Sequence, residues 1–507
     1  MTQEMDTIEP VRGASDLSPS DWAELESIRS KIALVFQQYG YQAIDVPVLE
    51  RTELFQRNAG TGITAQTYSF TDRGGTDVCL RPEFTASIAR FYTVNSKSSL
   101  PTPARLYYSG PAFRYEEPTH ATYRQYTESG AELIGCAGYT ADAEILQLAC
   151  SCMTELGFQD YQVVVGHLGI LSEFFRDLGL SRRVESLLRE SLEDLRQPSD
   201  SISDLRAAIS TCRGSVDNPS MGITQQVLQT LNQNTEKVTD EAIKAAVAST
   251  LDRLEIDYGS GRPRAAIEQR LIERLTRGDE SLLLEKAYAF LQELFAAAGT
   301  PPASITKALS IIKQFGLSTS SIDEVESIFD TLNQAGIDLS KFTFNPAMGR
   351  GLQYYTGFVF EVFSTDETSN RLQLCGGGRY DDLIEKVSGS SSTPAAGLTF
   401  GLERLRIKLT GLLDTSRINT PDVLLVNKGA STKYLMEIAN SLRASGIRVV
   451  NPLNQPPPSS DCIPVLISVS SKEESEQTSL VQLTNSKPPD TVPLDQLSSL
   501  ISALLGG

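Results

Sequence analysis

The chain has 507 residues, 40% apolar and 21% charged, which is long enough for more than one domain, each with its own core. Its formal net charge of −18 and pI of about 4.8 disfavour a free-standing nucleic-acid binder, although a local basic patch is compatible with an acidic total. The sequence contains no apolar leader and no run of 18 apolar residues, so we expect a cytoplasmic protein with no membrane partner.

Apolar residues at helical spacing predict a helix over 21–40, which Gly40 ends. Short β-branched and aromatic runs then predict strands at 41–48, 67–70, 78–80, 105–108 and 162–165. Helices are predicted at 87–92 and 141–156. Strands and helices interspersed in this way indicate an antiparallel α+β core, whose first part is residues 1–167.

The pattern changes at residue 168, and from there to 334 nearly every segment is amphipathic helix, which indicates an inserted all-helical domain. Strand patterns return at 357–363 and 371–375, before a helix at 380–386 and a strand-to-helix run at 396–410. Residues 335–415 therefore complete the core. The tail, 421–507, is predicted as a small α/β domain with strands at 423–426, 447–450 and 465–469 and helices at 433–444 and 495–505.

The seven cysteines are scattered and form no CxxC pair, and the chain has only two histidines, His120 and His167. A structural zinc site needs four such ligands at short spacing. We therefore expect reduced thiols and no metal site.

Arginines are concentrated in or beside the predicted core strands, namely Arg81, Arg114, Arg124, Arg350 and Arg404. A buried arginine needs an anion, and for any single one a structural ion pair is the simpler explanation, with candidate partners Glu83, Glu116, Glu132 and Glu403. Five together favour a site for a carboxylate or phosphate. The glycines 376–378 permit either a tight turn or a close ligand contact, and the chain has no Walker A or GxGxxG loop.

In order and content, these segments resemble the histidyl-tRNA synthetase family, which has a class II aminoacyl-tRNA synthetase core. The matching stretches are 46–50 (motif 1), 80–85, 113–116 (motif 2), 130–132, 350–355, and 376–381 with 397–404 (motif 3). The match covers roughly 1–165 and 335–415. It implies an antiparallel sheet flanked by helices, a homodimer formed through motif 1, and a reduced anticodon-binding-like domain at 421–507.

The resemblance also implies roles for individual residues. It assigns histidine binding to Glu83, Thr85, Arg114, Glu128, Glu132, Arg350, Tyr354 and Tyr355. It assigns ATP binding to Arg114, Glu116 and Arg404. Within these sets Arg350 would supply catalytic charge stabilisation, and the two tyrosines would frame the imidazole.

The chain departs from the family pattern at several positions. Thr122 stands where the family has an arginine, and the loss of one charge-assisted phosphate contact costs about 1.5–3 kcal/mol. Glu128 replaces a glutamine, and its carboxylate would repel a substrate carboxylate but favour an ammonium or imidazolium. Gln353 replaces an aspartate. The tail carries 6 Lys and Arg against 8 Asp and Glu, which predicts no tRNA-gripping surface.

These departures favour a non-catalytic, histidine-binding paralogue, the regulatory subunit of ATP phosphoribosyltransferase. Its partners would be histidine and the catalytic subunit of that enzyme, and it would need no cofactor. The alternative is an active histidyl-tRNA synthetase, which would use ATP and Mg²⁺ and bind tRNA. A paralogue with a different partner or ligand is a third possibility.

Overall fold

The computed structural model describes residues 8–57, 60–95, 100–179, 240–253, 280–349, 354–365, 371–389, 392–410, 421–450, 463–483 and 490–505, with the single positions 185, 188, 192 and 268. The chain forms two compact units. The first is Met1–Ser15 with Arg29–Lys408, and the second is Asp16–Ile28 with Leu409–Gly507. No helix within the described ranges is both long and apolar enough to cross a membrane.

Eleven strands lie in the described part of the first unit. They are β1 (Gln42–Ala43), β2 (Leu49–Arg51), β3 (Ser69–Thr71), β4 (Asp77–Leu80), β5 (Ala104–Phe113), β6 (Gln125–Ile134), β7 (Tyr161–His167), β8 (Phe342–Phe344), β9 (Phe358–Ser364), β10 (Gln373–Arg379) and β11 (Ala395–Gly401). Eight form one sheet in the order β1-β5-β6-β11-β10-β9-β7-β8, and three form a small sheet in the order β2-β4-β3. Only the outermost pairs of the large sheet, β1–β5 and β7–β8, are parallel. The predicted antiparallel α+β core is confirmed.

The structure describes twelve α-helices in the chain up to residue 410. They are α1 (Pro19–Gln38), α2 (Thr52–Gln56), α3 (Gly60–Ala65), α4 (Thr85–Asn95), α5 (Tyr139–Glu155), α6 (Leu168–Leu178), α7 (Asp240–Arg253), α8 (Glu280–Ala297), α9 (Ala303–Gln314), α10 (Ser320–Gln334), α11 (Leu383–Ser388) and α12 (Leu402–Leu409). The described elements between β7 and β8 are α6 to α10 and a short 3₁₀ turn, as the amphipathic pattern predicts. The boundaries expected for a separate helical domain, 168 and 334, stay a prediction.

The middle of the large sheet is covered on both faces. Along β5 buried and half-buried residues alternate, whereas β10 and β11 are buried at nearly every position. The sequence of a strand that is buried on both faces is typically a continuous apolar run, whereas that of a strand with one exposed face alternates apolar and polar residues. Residues 395–398 of β11 follow this rule, whereas the sequence of 371–375 alternates polar and apolar residues and β10 continues into glycines.

The structure decides one open alternative and corrects one prediction about local structure. The glycines 376–378 form no tight turn but lie inside β10 and allow close backbone approach, since a Cβ on Gly377 would meet the carbonyl oxygen of Gly397 at 2.2 Å. Neighbouring strands here approach too closely for side chains. Of the strand predicted over 41–48, only residues 42 and 43 form a strand, β1. Pro47 has no amide hydrogen to donate to a neighbouring strand, and the amide of Val46 donates to the Asp45 carboxylate instead.

The second unit contains its own five-stranded sheet. Its elements are β12 (Val423–Asn427), α13 (Thr432–Ala444), β13 (Val449–Val450), β14 (Val465–Val469), α14 (Ser471–Glu476), β15 (Thr478–Leu483), β16 (Asp490–Pro493) and α15 (Leu494–Leu505). The strand order is β13-β12-β14-β15-β16, with the first two pairings parallel and the last two antiparallel.

The sequence prediction omits α14, β15 and β16. The start of α14 carries a capping box, in which Ser470 and Glu473 bond to each other's backbone amides. That serine-to-glutamate spacing is the signal that would have revealed the helix. β15 pairs with β14, and β16 pairs with β15 at the edge of the sheet. Both strands contain few apolar residues, so their apolar pattern alone does not predict them.

We expect Gly377→Ala to lower the free energy of unfolding by about 3 kcal/mol or more, because the new methyl group would overlap backbone atoms of β11 that cannot move without breaking the ladder. Urea unfolding of the full chain measures this. Gly401→Ala is the matched control, since the nearest atom to its Cβ, apart from its chain neighbours, would be the Cδ of Arg404 at 3.8 Å. Equal losses for both variants would contradict close strand packing at Gly377.

Candidate active site

A cavity of about 160 Å³ lies against the large sheet where β6, β11 and β10 are neighbours. The segments that follow β4 and β5 and the beginning of α12 complete its wall. Eight residues predicted from the sequence line it together, namely Glu83, Thr85, Arg114, Glu116, Glu128, Tyr354, Tyr355 and Arg404. Arg350, predicted to be catalytic, and Gln353 lie outside the described residues.

Glu132 contacts the cavity wall through Thr85, whose hydroxyl donates a 2.8 Å hydrogen bond to one carboxyl oxygen. The other oxygen is bonded by the Tyr380 hydroxyl. Glu132 is buried, and burial raises the pKa of its carboxyl to about 8, with the negative charges of Glu83 and Glu128 adding to the increase. This carboxyl therefore keeps its proton to higher pH than a carboxyl in water does.

Glu83 caps the beginning of α4. Its two carboxyl oxygens accept hydrogen bonds from the backbone amides of Thr85 (2.6 Å) and Ala86 (3.0 Å). Burial raises its pKa, while these amides and Arg114 oppose the increase. Each carboxyl oxygen of Glu83 therefore already accepts a hydrogen bond from the protein backbone.

Glu128 lies on β6 and is 6% exposed. Its Oε2 atom has no hydrogen-bond partner among the residues that the structure describes. Burial raises the pKa of this carboxyl to about 7, against the opposing effect of the Arg114 and Arg81 guanidiniums. Leaving a buried carboxyl oxygen without a donor costs free energy, and this atom is closed off from the cavity, since its accessible area is below 1 Å².

Two guanidiniums also line the cavity, and that of Arg114 lies close enough to Glu83, Glu116 and Glu128 to interact with their charges. Arg114 donates from Nε to the carbonyl of Pro82 (3.0 Å), and Arg404 donates to the carbonyls of Ala121 (3.1 Å) and Gln373 (3.3 Å). These bonds fix each planar group without neutralising its charge. Burial lowers the pKa of Arg114, but Tyr126 and three nearby carboxylates outweigh it, so the pKa rises and the group stays charged.

Two other predicted arginines are structural, although not through glutamates. Arg81 is 2% exposed, donates to the carbonyls of Pro111 and Val46, and lies 3.7 Å from the ring centre of Phe84. Arg124 bonds to the carbonyl of Glu116 and stacks on Tyr115. Backbone carbonyls and aromatic faces replace the glutamate partners expected from the sequence.

Some residues that shape the site were not predicted. Tyr380 follows the glycine triplet, so the 376–381 motif offered a signal for it. No sequence pattern pointed to Gly13. Its carbonyl oxygen accepts a 2.7 Å hydrogen bond from the amide of Arg124, and its φ of +86° is a backbone conformation that favours glycine. Arg12 forms an ion pair with Glu117 next to this contact. The N-terminal segment therefore holds the loop between β5 and β6 in place.

A sequence model described as histidyl-tRNA synthetase matches residues 13–255 and 260–405 of this chain. Among curated proteins, histidine–tRNA ligase of Methanococcus aeolicus is 28% identical over 435 residues, which cover 85% of this chain and 84% of that protein. Histidine–tRNA ligase of Pyrococcus abyssi is 30% identical over 443 residues, covering 87% of this chain and 84% of that protein.

Two solved structures are similar in fold. Histidyl-tRNA synthetase from Nostoc sp. PCC 7120 superposes with a TM-score of 0.62 at 18% identity, covering 98% of this chain and 100% of that chain. An ATP phosphoribosyltransferase regulatory subunit/histidyl-tRNA synthetase from Bacillus halodurans gives a TM-score of 0.64 at 19% identity, with 92% and 100% covered. At these identities the superpositions establish the fold.

We expect the buried Glu132 carboxyl to make stability depend on pH. The unfolded chain ionises it from about its ordinary pKa of 4.5, whereas the folded chain retains the proton until about pH 8, so the unfolding free energy falls as pH rises between these values. For one group the slope is at most about 1.4 kcal/mol per pH unit. Urea unfolding at pH 5, 6 and 7 should show this slope in the difference between wild type and Glu132→Gln.

Glu155→Gln, at an exposed position on α5, is the control for loss of one carboxyl. A difference between wild type and Glu132→Gln that does not change with pH would contradict a protonated Glu132 in the folded state.

Proposed function

This chain belongs to the histidyl-tRNA synthetase family, and from that membership we propose that it is a histidine–tRNA ligase, which activates histidine with ATP and transfers it to tRNA. The supporting observation is the single cavity that joins buried carboxyl groups to two charged guanidiniums. The sequence analysis preferred the regulatory-subunit interpretation. The curated relatives named histidine–tRNA ligase favour the alternative instead.

The carboxyl-lined part of the cavity suits the cationic and ring groups of histidine. We propose that Glu83, Thr85 and Glu128 face the α-ammonium group, and that Glu132 contacts the imidazole. The rings of Tyr354 and Tyr355 lie 4.8 Å apart and Tyr354 is buried, which suits them to frame a flat ring. Glu132, oriented by Tyr380, would then accept or donate one imidazole proton.

The guanidinium-lined part suits ATP. In activation a carboxylate oxygen of histidine attacks the α-phosphorus of ATP, an O–P bond forms, and the bond to the pyrophosphate oxygen breaks. Negative charge spreads over the phosphate oxygens during this step, and fixed cations stabilise it. We propose that Arg114 contacts the α-phosphate and the histidine carboxylate, that Arg404 contacts the outer phosphates, and that Arg350 adds further positive charge.

Glu116 lines the same part of the cavity and is proposed to contact ATP. Magnesium would arrive as part of the MgATP substrate, because Mg²⁺ is commonly held by substrate phosphates and water with few protein ligands. Among the described residues, no group of three or more His, Cys, Asp or Glu side chains is placed to hold a metal ion.

Two further parts of the proposal concern assembly. The residues around motif 1 expose Val48, Leu49 and Phe70, an apolar surface that supports a homodimer. We propose residues 421–507 as a reduced anticodon-binding-like domain, with residues 168–334 as an inserted helical domain. Histidine, ATP and tRNA meet in the cytoplasm, so the proposal includes that location.

One observation favours a second candidate, a histidine-binding regulatory subunit that controls the catalytic subunit of ATP phosphoribosyltransferase. Thr122 lines the cavity at the position where the family resemblance gives an arginine. A site without that guanidinium would still bind histidine at its carboxyl-lined part but would stabilise the activation step less. In this candidate, bound histidine would shift the equilibrium between two states of the partner enzyme.

We expect the purified chain to catalyse histidine-dependent exchange of pyrophosphate into ATP. Arg114→Gln should reduce the exchange rate at least about a hundredfold, because it removes a fixed cation from the phosphate region. Arg57→Gln is the matched control, since this arginine is 57% exposed and, among the residues that the structure describes, forms its ion pair with Glu53 one helical turn away. Histidine binding without exchange would refute the ligase and support the regulatory subunit.

We expect Thr122→Arg to raise the exchange rate about tenfold or more, because one charge-assisted phosphate contact is worth at least about 1.5 kcal/mol. His120→Arg is the control, because it adds the same charge to an exposed position of the same loop. An unchanged rate in Thr122→Arg, with wild type active, would show that the site is complete without this arginine.

A further inference from the structure

The N-terminal segment, residues 8–15, contacts the loop that joins β5 to β6, residues 114–124. The carbonyl oxygen of Gly13 accepts a 2.7 Å hydrogen bond from the amide of Arg124, at the end of this loop. Arg12 forms an ion pair with Glu117, in the first half of the loop. The segment therefore contacts the loop at two separate points, through its backbone and through a side chain.

Position 13 favours glycine for two independent reasons. Its φ of +86° is a conformation that other residues rarely adopt. A Cβ there would also lie 2.8 Å from the Cγ of Arg124 and 2.8 Å from the Cγ of Pro118. The side chain of Arg124 is itself fixed, because its guanidinium stacks on Tyr115 and its Nε donates to the carbonyl of Glu116. A methyl group on residue 13 would therefore displace the segment, the loop or both.

The same loop forms part of the cavity wall. Glu116, Ala121, Thr122 and Tyr123 line the cavity. The carbonyl of Ala121 also accepts a 3.1 Å hydrogen bond from Nε of Arg404, the guanidinium proposed to contact the outer phosphates. A displaced loop would therefore move its own side chains and also the group that orients Arg404. No described residue of the N-terminal segment lines the cavity itself.

The residues proposed to bind histidine lie mainly on other elements. Glu83 and Thr85 lie at the beginning of α4, and Glu132 lies on β6. Arg114 is the first residue of the loop, but its Nε donates to the carbonyl of Pro82, outside the loop. A displacement of the loop should therefore affect the nucleotide more than the amino acid.

We propose that Gly13 is a positioning residue, through which the N-terminal segment holds the 114–124 loop in the conformation that binds ATP. The segment thus sets the affinity for ATP without contacting the nucleotide. The proposal rests on the proposed function for the identity of this ligand. Because the coupling between two sites is reciprocal, bound ATP in turn stabilises the contact between the segment and the loop.

Gly13→Ala should weaken the binding of MgATP to the full chain about tenfold or more, because the added methyl group overlaps two side chains of the loop. Calorimetric titration measures this, and KM for ATP in the exchange reaction should rise by the same factor. Histidine affinity should change less than about threefold, since a lost contact is felt by the ligand that depends on it. Equal losses for the two ligands would contradict a positioning role and indicate general damage to the fold.

Gly40→Ala is the matched control. Gly40 has a φ of +79°, and a Cβ there would meet no atom within 4 Å, so this variant has the same backbone strain without the steric overlap. It should bind MgATP as wild type does. A loss of ATP affinity in Gly40→Ala as large as that in Gly13→Ala would overturn the proposal.

Hydrogen exchange of the wild-type chain keeps the test valid if Gly13→Ala fails to fold. The amide of Ala14 donates to the carbonyl of Val11 within the segment. With saturating MgATP this amide should exchange at least about threefold more slowly, because the nucleotide stabilises the segment through the loop. Saturating histidine is the control ligand and should leave the exchange rate unchanged. Equal exchange with and without MgATP would refute the coupling.

Three outcomes separate this inference from the proposed function. If wild type and Gly13→Ala bind MgATP equally well, the positioning role fails while the ligase stands. If the two proteins differ in ATP affinity as expected but wild type catalyses no histidine-dependent exchange of pyrophosphate, the ligase fails and the positioning role stands. If wild type binds no MgATP, both fail.

Discussion

The site depends on the close approach of three neighbouring strands, β6, β11 and β10. A Cβ on Gly397 would lie 1.7 Å from Glu132 Oε2, and one on Gly130 would lie 2.4 Å from the Tyr108 hydroxyl. Glycine at these positions leaves room for a carboxyl and a phenol inside the sheet, where no other side chain would fit. The buried acids and the cavity above them therefore exist because the sheet lacks side chains at its centre.

Burial then gives each group in the cavity a defined chemical state. Carboxyls removed from water hold their protons to higher pH, as Glu132 and Glu128 do. The guanidinium of Arg114 stays charged because carboxylates and a phenol surround it. A ligand with an ammonium at one end and an anionic group at the other matches this arrangement. An amino acid joined to a nucleotide phosphate has these two features.

The departures from the family pattern affect only part of this site. The histidine-facing residues Glu83, Thr85, Tyr354 and Tyr355 are those that the resemblance implies, and they line one cavity. Thr122 and Glu128, two of the departures, line the same cavity. Under the proposed function, the change at Thr122 would affect the rate of activation and the change at Glu128 the binding of the amino acid, so the two can be measured independently.

The sequence by itself indicated the fold class, most of the core strands and eight of the residues that line the cavity, but it missed β6, the strand that carries Glu128 and Glu132. These are properties of local periodicity and of motifs a few residues long. Only the tertiary structure decided that the glycines 376–378 form a strand, that Arg81 and Arg124 bond to carbonyls, and that Glu128 retains a free oxygen. Hydrogen-bonding capacity depends on partners distant in the chain, such as Tyr380 and Glu132, which are 248 residues apart. No local pattern contains that information, because burial and pairing arise only when the strands come together.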